Sequence, residues 1–129
     1  MAQDYGAINL SQGFPDFDCP ERLKELVTKR LYDNKNQYPP MAGIPLLRQE
    51  IANKIKKLYG FTADFENEIT VTSGATEAIF NAVQATVTAG DEVIIFDPAY
   101  DCYEPAILMA GATPVRISLE LPDYAINWQ

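Results

Sequence analysis

Apolar residues recur at helical spacing through the first half of the chain. The first stripe predicts a helix and consists of Leu23, Leu26, Val27 and Leu31. Pro20 fits the first position of this helix, because its missing N–H group has no intrahelical partner there in any case. A second stripe predicts a helix that begins at Pro45 and ends at Gly60, a common C-terminal stop. The first half is therefore predicted to be helical, with a loop at 34–43.

The second half of the chain alternates short apolar runs with helical patterns. The predicted elements are strands at 69–72, 93–96 and 115–117 and helices at 76–88 and 105–110. The run at 93–96 is continuously apolar, which is typical of a strand buried on both faces. Residues 119–129 contain no clear terminating element. Strands that alternate with helices predict a layered α/β fold.

Composition and charge narrow the possible functions. Of 129 residues, 47% are hydrophobic and 22% are charged, as in globular domains. The formal net charge of -8 argues against nucleic acid and acidic membrane surfaces as partners. Two cysteines and no histidine nearly exclude a zinc site and exclude a Ser-His-Asp mechanism within this chain. Neither a signal peptide nor an apolar span is recognised, so a cytoplasmic location is predicted.

The sharpest local pattern is the run 72–78 (TSGATEA), which joins a predicted strand to a predicted helix. A helix N-terminus leaves N–H groups unpaired and carries a partial positive charge. Gly74 and Ala75 let an anion approach the backbone, and Ser73 or Thr76 can add a hydroxyl donor. The run predicts a phosphate site, although an ordinary capped turn explains it equally well.

A second candidate is the loop 96–103 (FDPAYDCY), which follows the next predicted strand. Ligands of open α/β sheets bind beyond the C-terminal ends of the strands, so this loop and the turn at 73–75 are expected to line one crevice. Tyr100 can lay its ring against a flat aromatic cofactor. On sequence grounds alone, simple packing of Tyr100 and Tyr103 is the favoured alternative. The third candidate is Tyr38, whose phenol can donate to a phosphate, with a rigid surface loop as the simpler explanation.

Five segments in this order resemble one family. They are 8–17 (INLSQGFPDF), 38–43, 72–78, 90–93 (GDEV) and 97–103. They resemble the class I and II aminotransferases, which have fold type I and use pyridoxal 5'-phosphate, and 101–105 (DCYEP) is most similar to the methionine and kynurenine (glutamine) branch. The resemblance implies an α/β fold with a mostly parallel sheet. It assigns 1–45 to small-domain and dimer contacts and 46–129 to an incomplete large domain.

The resemblance also implies cofactor contacts. Gly74, Ala75 and Thr76 are implied to hold the cofactor phosphate, and Tyr100 to stack on the pyridine ring. Tyr38 is implied to reach the phosphate of the neighbouring subunit's cofactor. This arrangement corresponds to a homodimer with shared active sites.

Two further residues are implied to meet the substrate, while the reacting lysine is absent. Gly13 is implied to offer its backbone to the substrate carboxylate, and Phe14 to shape the side-chain pocket. The family's Schiff-base lysine lies in a later Ser-x-x-Lys-type segment that this chain does not contain. The lysines present are expected to be solvated, unlike a Schiff-base lysine. The chain is therefore expected to be the N-terminal part of a longer protein and to supply no catalytic residue.

The expected function of that longer protein is transamination. An amino group would pass from an L-amino acid (methionine, aromatic or glutamine-like) to a keto acid. One alternative is β-elimination from cysteine conjugates with the same cofactor. The other is a non-catalytic α/β module that kept a phosphate-binding turn.

Overall fold

The computed structural model describes residues 2–9, 13 and 15–128. It divides into two compact units, Met1–Pro39 and Pro40–Gln129. The first unit contains a 3-10 turn at Gln3–Tyr5 and helix α1 at Glu21–Tyr32. The second unit carries most of the candidate site. Its helices and strands are, in chain order, α2 (Pro45–Tyr59), α3 (Gly74–Thr86), β1 (Glu92–Asp97), α4 (Tyr103–Met109) and β2 (Thr113–Ser118).

Helix α1 confirms the first predicted helix, with one correction at its start. Pro20 is the residue before the helix rather than its first position, so the helix begins at Glu21. None of the helix residues is buried. Its surface carries local ion pairs such as Arg22 with Glu25, at 2.9 Å. Such exposed pairs contribute little to stability.

Helix α2 spans Pro45–Tyr59, and Gly60 is the residue that caps its C-terminus, as predicted. Its one buried residue, Arg48, donates hydrogen bonds to the carbonyl oxygens of Phe65 at 2.9 Å and Glu66 at 3.2 Å. Bonds from a charged donor are stronger than neutral ones. Arg48 therefore fixes the connection between α2 and the segment that leads to α3.

The sheet is a parallel pair of strands, β1 at Glu92–Asp97 and β2 at Thr113–Ser118. Helix α4, at Tyr103–Met109, connects them, and α3, at Gly74–Thr86, packs beside α4. The buried cluster consists of Ile95, Ile107 and Ala112. The half-buried side chains packed against it are Val83, Val87, Val93 and Tyr103. The predicted α/β class is confirmed.

One face of β1 is open, contrary to the prediction that this strand is buried on both faces. Ile95 is 7% exposed, whereas Ile94 is 60% and Phe96 37% exposed. Helices α3 and α4 pack on the side of Ile95. Within the described part of the second unit, no other helix packs against β1. The apolar composition of β1 is therefore typical of a strand with both faces buried, but the described residues cover only the face of Ile95.

Two other predicted segments also differ from the structure. Residues 69–72 form no strand, because Val71 donates a hydrogen bond to the Ala42 carbonyl oxygen at 3.0 Å without a continuing ladder. Residues 119–128, the described part of the segment 119–129, contain a turn that was not predicted. Glu120 and Ala125 exchange backbone hydrogen bonds of 2.9 and 3.1 Å around a turn. Across the described residues, no helix has the length and apolar character to cross a membrane.

The open face of β1 predicts self-association of the 129-residue chain. Exposed apolar surface and unpaired strand edges favour aggregation. Ile94→Lys is expected to reduce light scattering at equal concentration while the circular dichroism spectrum is kept. The matched change at the buried neighbour, Ile95→Lys, is expected to unfold the chain because it buries an unpaired charge. A monodisperse, cooperatively melting monomer of the unaltered chain would contradict this account.

Candidate functional site

The turn that precedes α3 leaves the backbone open at Gly74. Ser73 precedes the helix, and Gly74 is its first residue with φ of 85°. A Cβ atom built at Gly74 meets no heavy atom within 4 Å. The left-handed φ explains why glycine suits this position, since other residues are strained there. The open space allows a ligand to approach the main chain closely.

Two of the backbone N–H groups at this turn already donate hydrogen bonds within the protein. The Glu77 carboxylate accepts a hydrogen bond from the Ser73 N–H group, and the Gly74 N–H group donates to the Thr72 carbonyl oxygen at 2.9 Å. Ser73 makes no side-chain capping bond. The first N–H groups of a helix lack intrahelical partners. The donors that this geometry leaves for an anion are therefore those of Ala75 and Thr76.

Glu77 is a feature of the turn that sequence reasoning did not single out as a site residue. Its carboxylate lies at the positive end of α3, where a negative charge is favourable. It also fixes the Ser73 N–H group, as a capping carboxylate does. The signal in the sequence was an acidic residue in the first helical turn, which is common enough to be read as ordinary capping.

A groove of about 410 Å³ lies beside this turn, between α3 and α4. Its lining combines the turn with the start of α4 and consists of Ser73, Thr76, Glu77, Phe80, Cys102, Pro105, Ala106 and Met109. The turn and the end of the 96–103 loop therefore meet in one crevice, as predicted. Tyr100 is not among the lining residues.

Tyr100 lies at the centre of the loop between β1 and α4. Its ring centroid is 6.1 Å from that of Tyr103, and the two rings are tilted by 57°. This contact matches the packing alternative. Tyr100 is nevertheless 61% exposed, so most of its ring is available to another flat group. Both interpretations of Tyr100 are compatible with this geometry.

The ends of this loop are joined by Arg116 of β2. Its Nη1 atom donates to both carboxylate oxygens of Asp97, at 3.0 and 2.9 Å, and its Nη2 atom donates to Glu104. The hydrogen bonds that Asp97 accepts, then the negative charges of Asp97 and Glu104, raise the pKa of Arg116. Arg116 therefore stays charged and ties β2 to both flanks of the Tyr100 loop.

The remaining predicted site residues belong to the first unit. Tyr38 is fully exposed, and Gly13 is exposed as well. Phe14 lies outside the described residues. All lysines are exposed except Lys24, which is half-buried and pairs with Asp18 and Glu21. Among the residues that the structure describes, no lysine lines the groove beside α3.

The donor set suits a phosphate group better than a metal ion. Main-chain N–H groups at a helix N-terminus bind anions, and the open surface at Gly74 permits close approach. Among the described residues, no group of three or more cysteine, aspartate or glutamate side chains is placed to hold a metal. An open α/β sheet with unpaired N–H groups at the start of a helix is an arrangement typical of proteins that bind phosphate-containing ligands or cofactors.

Comparison with known proteins identifies the family. The family model described as aminotransferase class I and II matches residues 5–129. The chain belongs to the class I and II aminotransferases. This confirms the resemblance and the fold class predicted from the sequence.

Individual relatives agree with this assignment. Methionine aminotransferase of Escherichia coli (strain K12) is 50% identical over 129 residues, which cover 100% of this chain and 33% of that protein. Kynurenine--oxoglutarate transaminase 3 of Homo sapiens is 45% identical over 130 residues, with 99% and 29% coverage. The crystal structure of YbdL from Escherichia coli, identified as having a methionine aminotransferase function, superimposes with a TM-score of 0.92. That comparison has 50% identity and covers 99% of this chain and 34% of that chain. The chain spans about a third of the length of these relatives.

Two glycine substitutions test the backbone geometry that supports the turn. Gly74→Ala is expected to lower the free energy of unfolding by about 1–2 kcal/mol, because the left-handed φ is strained for alanine while the space is open. Gly43→Ala is expected to lower the free energy of unfolding by more than Gly74→Ala does. Gly43 has φ of 98°, and a Cβ there lies 2.6 Å from Val71 Cγ2. Chemical denaturation of the full-length protein measures the free energy of unfolding of both variants. A smaller decrease for Gly43→Ala than for Gly74→Ala would contradict the geometry.

Proposed function

We propose that this chain forms the N-terminal, cofactor-binding part of an aminotransferase that uses pyridoxal 5'-phosphate. The observation that carries the proposal is the open turn at Gly74, placed at the start of α3 and beside a groove. Membership of the class I and II aminotransferases supports it. The residues present fit the phosphate, since two first-turn N–H donors face no intrahelical partner.

Each candidate residue of the second unit has a binding role in this proposal. The N–H groups of Ala75 and Thr76 hold the phosphate, with Gly74 providing the close approach. The Tyr100 ring packs against the pyridine ring. Glu77 holds the turn through Ser73 and adds a negative charge near the phosphate. That charge limits phosphate affinity, because like charges repel at short range.

The first unit supplies the other contacts of the proposed active site. Tyr38 donates its phenol to the phosphate in the neighbouring subunit of a homodimer. Gly13 offers its backbone to the substrate carboxylate, and Phe14 shapes the pocket for the substrate side chain. In the same proposal, residues 1–45 belong to the small-domain and dimer-contact part and 46–129 to the large domain. The enzyme is cytoplasmic.

The division of labour follows from which groups this chain has. When bound, the cofactor supplies an electron sink for the substrate carbanion. Residues of this chain bind and orient, and none of those that the structure describes is placed to move a proton at the reacting carbon. The amine that does so must come from elsewhere in the enzyme, since the lysines here are solvated or paired with surface carboxylates. The proposed substrates are an L-amino acid and a keto acid.

A direct assay separates transamination from its alternatives. The full-length protein is incubated with methionine and a keto acid, and the new amino acid and the methionine-derived keto acid are quantified. Equal amounts of the two products are expected, because the amino group is conserved. Pyruvate and ammonia from a β-substituted substrate without amino transfer would instead indicate β-elimination. Absence of any reaction and of bound cofactor would favour a non-catalytic module.

Substitution of Tyr100 tests its proposed place against the cofactor. Tyr100→Ala in the full-length protein is expected to weaken cofactor retention by about 1 kcal/mol, since ring stacking is lost. Tyr100→Phe keeps the ring and is expected to retain the cofactor normally. Retention is followed by the visible absorbance of the cofactor during dialysis. Equal retention by both variants would remove Tyr100 from the site.

A further inference from the structure

The Tyr100 loop is bounded by two carboxylates that share one guanidinium group. Asp97 closes β1 just before the loop, and Glu104 lies in the first turn of α4 just after it. Both accept hydrogen bonds from Arg116, which lies on β2. A single side chain from the neighbouring strand therefore closes the base of the loop. We call this three-residue contact the Arg116 clamp.

The position of Asp97 is fixed by its backbone as well as its side chain. Its carbonyl oxygen accepts a hydrogen bond from the Leu119 N–H group at 2.8 Å, continuing the parallel ladder. Glu104 has no such anchor on β2. The backbone bonds at the far side of the loop are local ones, from Tyr103 to Tyr100 and from Ala106 to Cys102, at 3.3 Å each. The hydrogen-bonded link from β2 to the α4 side of the loop therefore depends on the side chains of Arg116 and Glu104, while Tyr103 packs against the buried cluster.

The geometry also requires an arginine. The planar guanidinium presents several donors in a fixed fork, so it can engage two carboxylates at once. A lysine ammonium is a point charge on a flexible stem and does not have this fixed bridging geometry. A neutral residue would leave Asp97 and Glu104 with like charges and no cation between them. Loss of Arg116 would therefore remove its attraction to both carboxylates and leave Asp97 and Glu104 to repel each other across the base of the loop.

We propose that Arg116 is a positioning residue for the cofactor site, which holds the loop in the conformation that presents the Tyr100 ring. This inference rests on the proposed function, because it assigns Arg116 an effect on cofactor retention through Tyr100. Arg116 lies outside the lining of the groove and in none of the predicted binding positions. Its effect is indirect and differs from that of a residue that contacts the ligand.

The first test measures the loop in the full-length protein without cofactor. Arg116→Gln is expected to increase amide hydrogen exchange at residues 99–103, with little change in α2. Arg116→Lys is expected to give a smaller increase, because the charge is kept and the fork is lost. The control is Arg22→Gln, which removes an arginine paired with Glu25 on α1. Unchanged exchange at residues 99–103 in both Arg116 variants would overturn the clamp, whatever the function of the enzyme.

The second test measures cofactor dissociation from the loaded protein in a double-mutant cycle. Arg116→Gln is expected to speed dissociation about fivefold, as for loss of a well-formed partly exposed ion pair. In the Tyr100→Ala background the same change is expected to add nothing, because its effect passes through the ring. Adding Glu104→Gln to Arg116→Gln is expected to restore part of the retention by removing the repulsion. Arg22→Gln is expected to leave dissociation unchanged.

The two measurements distinguish failure of the clamp from failure of the proposed site. An equal effect of Arg116→Gln with and without the Tyr100 ring would overturn the positioning role, since Arg116 would then act by another route. Unchanged dissociation in Arg116→Gln despite a loosened loop would overturn it as well. If Tyr100→Ala itself has no effect on dissociation, the proposed contact of Tyr100 fails and this inference fails with it. Where Arg116→Gln does not fold, Arg116→Lys serves in the same cycle.

Discussion

Parallel pairing of β1 with β2 requires the chain to cross from one end of the sheet to the other, and α4 makes that crossing. The crossing is held by burial of Ile107, which is 2% exposed, against Ile95 and Ala112. The register aligns Glu92 with Thr113 and Asp97 with Ser118. Because the strands run in the same direction, their carboxyl ends lie at one edge of the sheet. The loop that carries Tyr100 begins at that edge.

The candidate site follows from this arrangement rather than from any single motif. Helix α3 packs against α4, so the turn at its start is brought beside Cys102 and the groove. Arg116 reaches Asp97 and Glu104 because β2 lies next to β1 in this register. Two strands and two helices thus position the open backbone at Gly74, the ring of Tyr100 and the Arg116 clamp. The parts that complete an aminotransferase are proposed to come from the rest of the longer protein.

Features set by local interactions could be predicted from the sequence. The start of α2 at Pro45 and its end at Gly60 depend on neighbouring residues alone, and both predictions were correct. The open turn at Gly74 was also recognisable, although α3 begins there and not at residue 76. The roles assigned to Tyr38, Gly13 and Phe14 stay predictions, because they concern contacts between parts of an enzyme.

Features set by distant contacts could not be predicted in the same way. The apolar run of β1 predicted two buried faces, but burial depends on which elements cover each face, and Ile94 is left open. Segment 69–72 has the composition of a strand, but a strand needs a partner strand for a ladder of hydrogen bonds. Val71 makes only a single such bond, to the Ala42 carbonyl oxygen. The Arg116 clamp joins residues from three elements, which only the register and the packing of α4 bring together.

The turn at the start of α3 is proposed to bind the phosphate group of pyridoxal 5'-phosphate. A crystal structure of the full-length protein with the bound cofactor tests it most directly. We expect phosphate oxygens about 3 Å from the main-chain nitrogen atoms of Ala75 and Thr76. A cofactor phosphate bound elsewhere, with only water at this turn, would contradict the account.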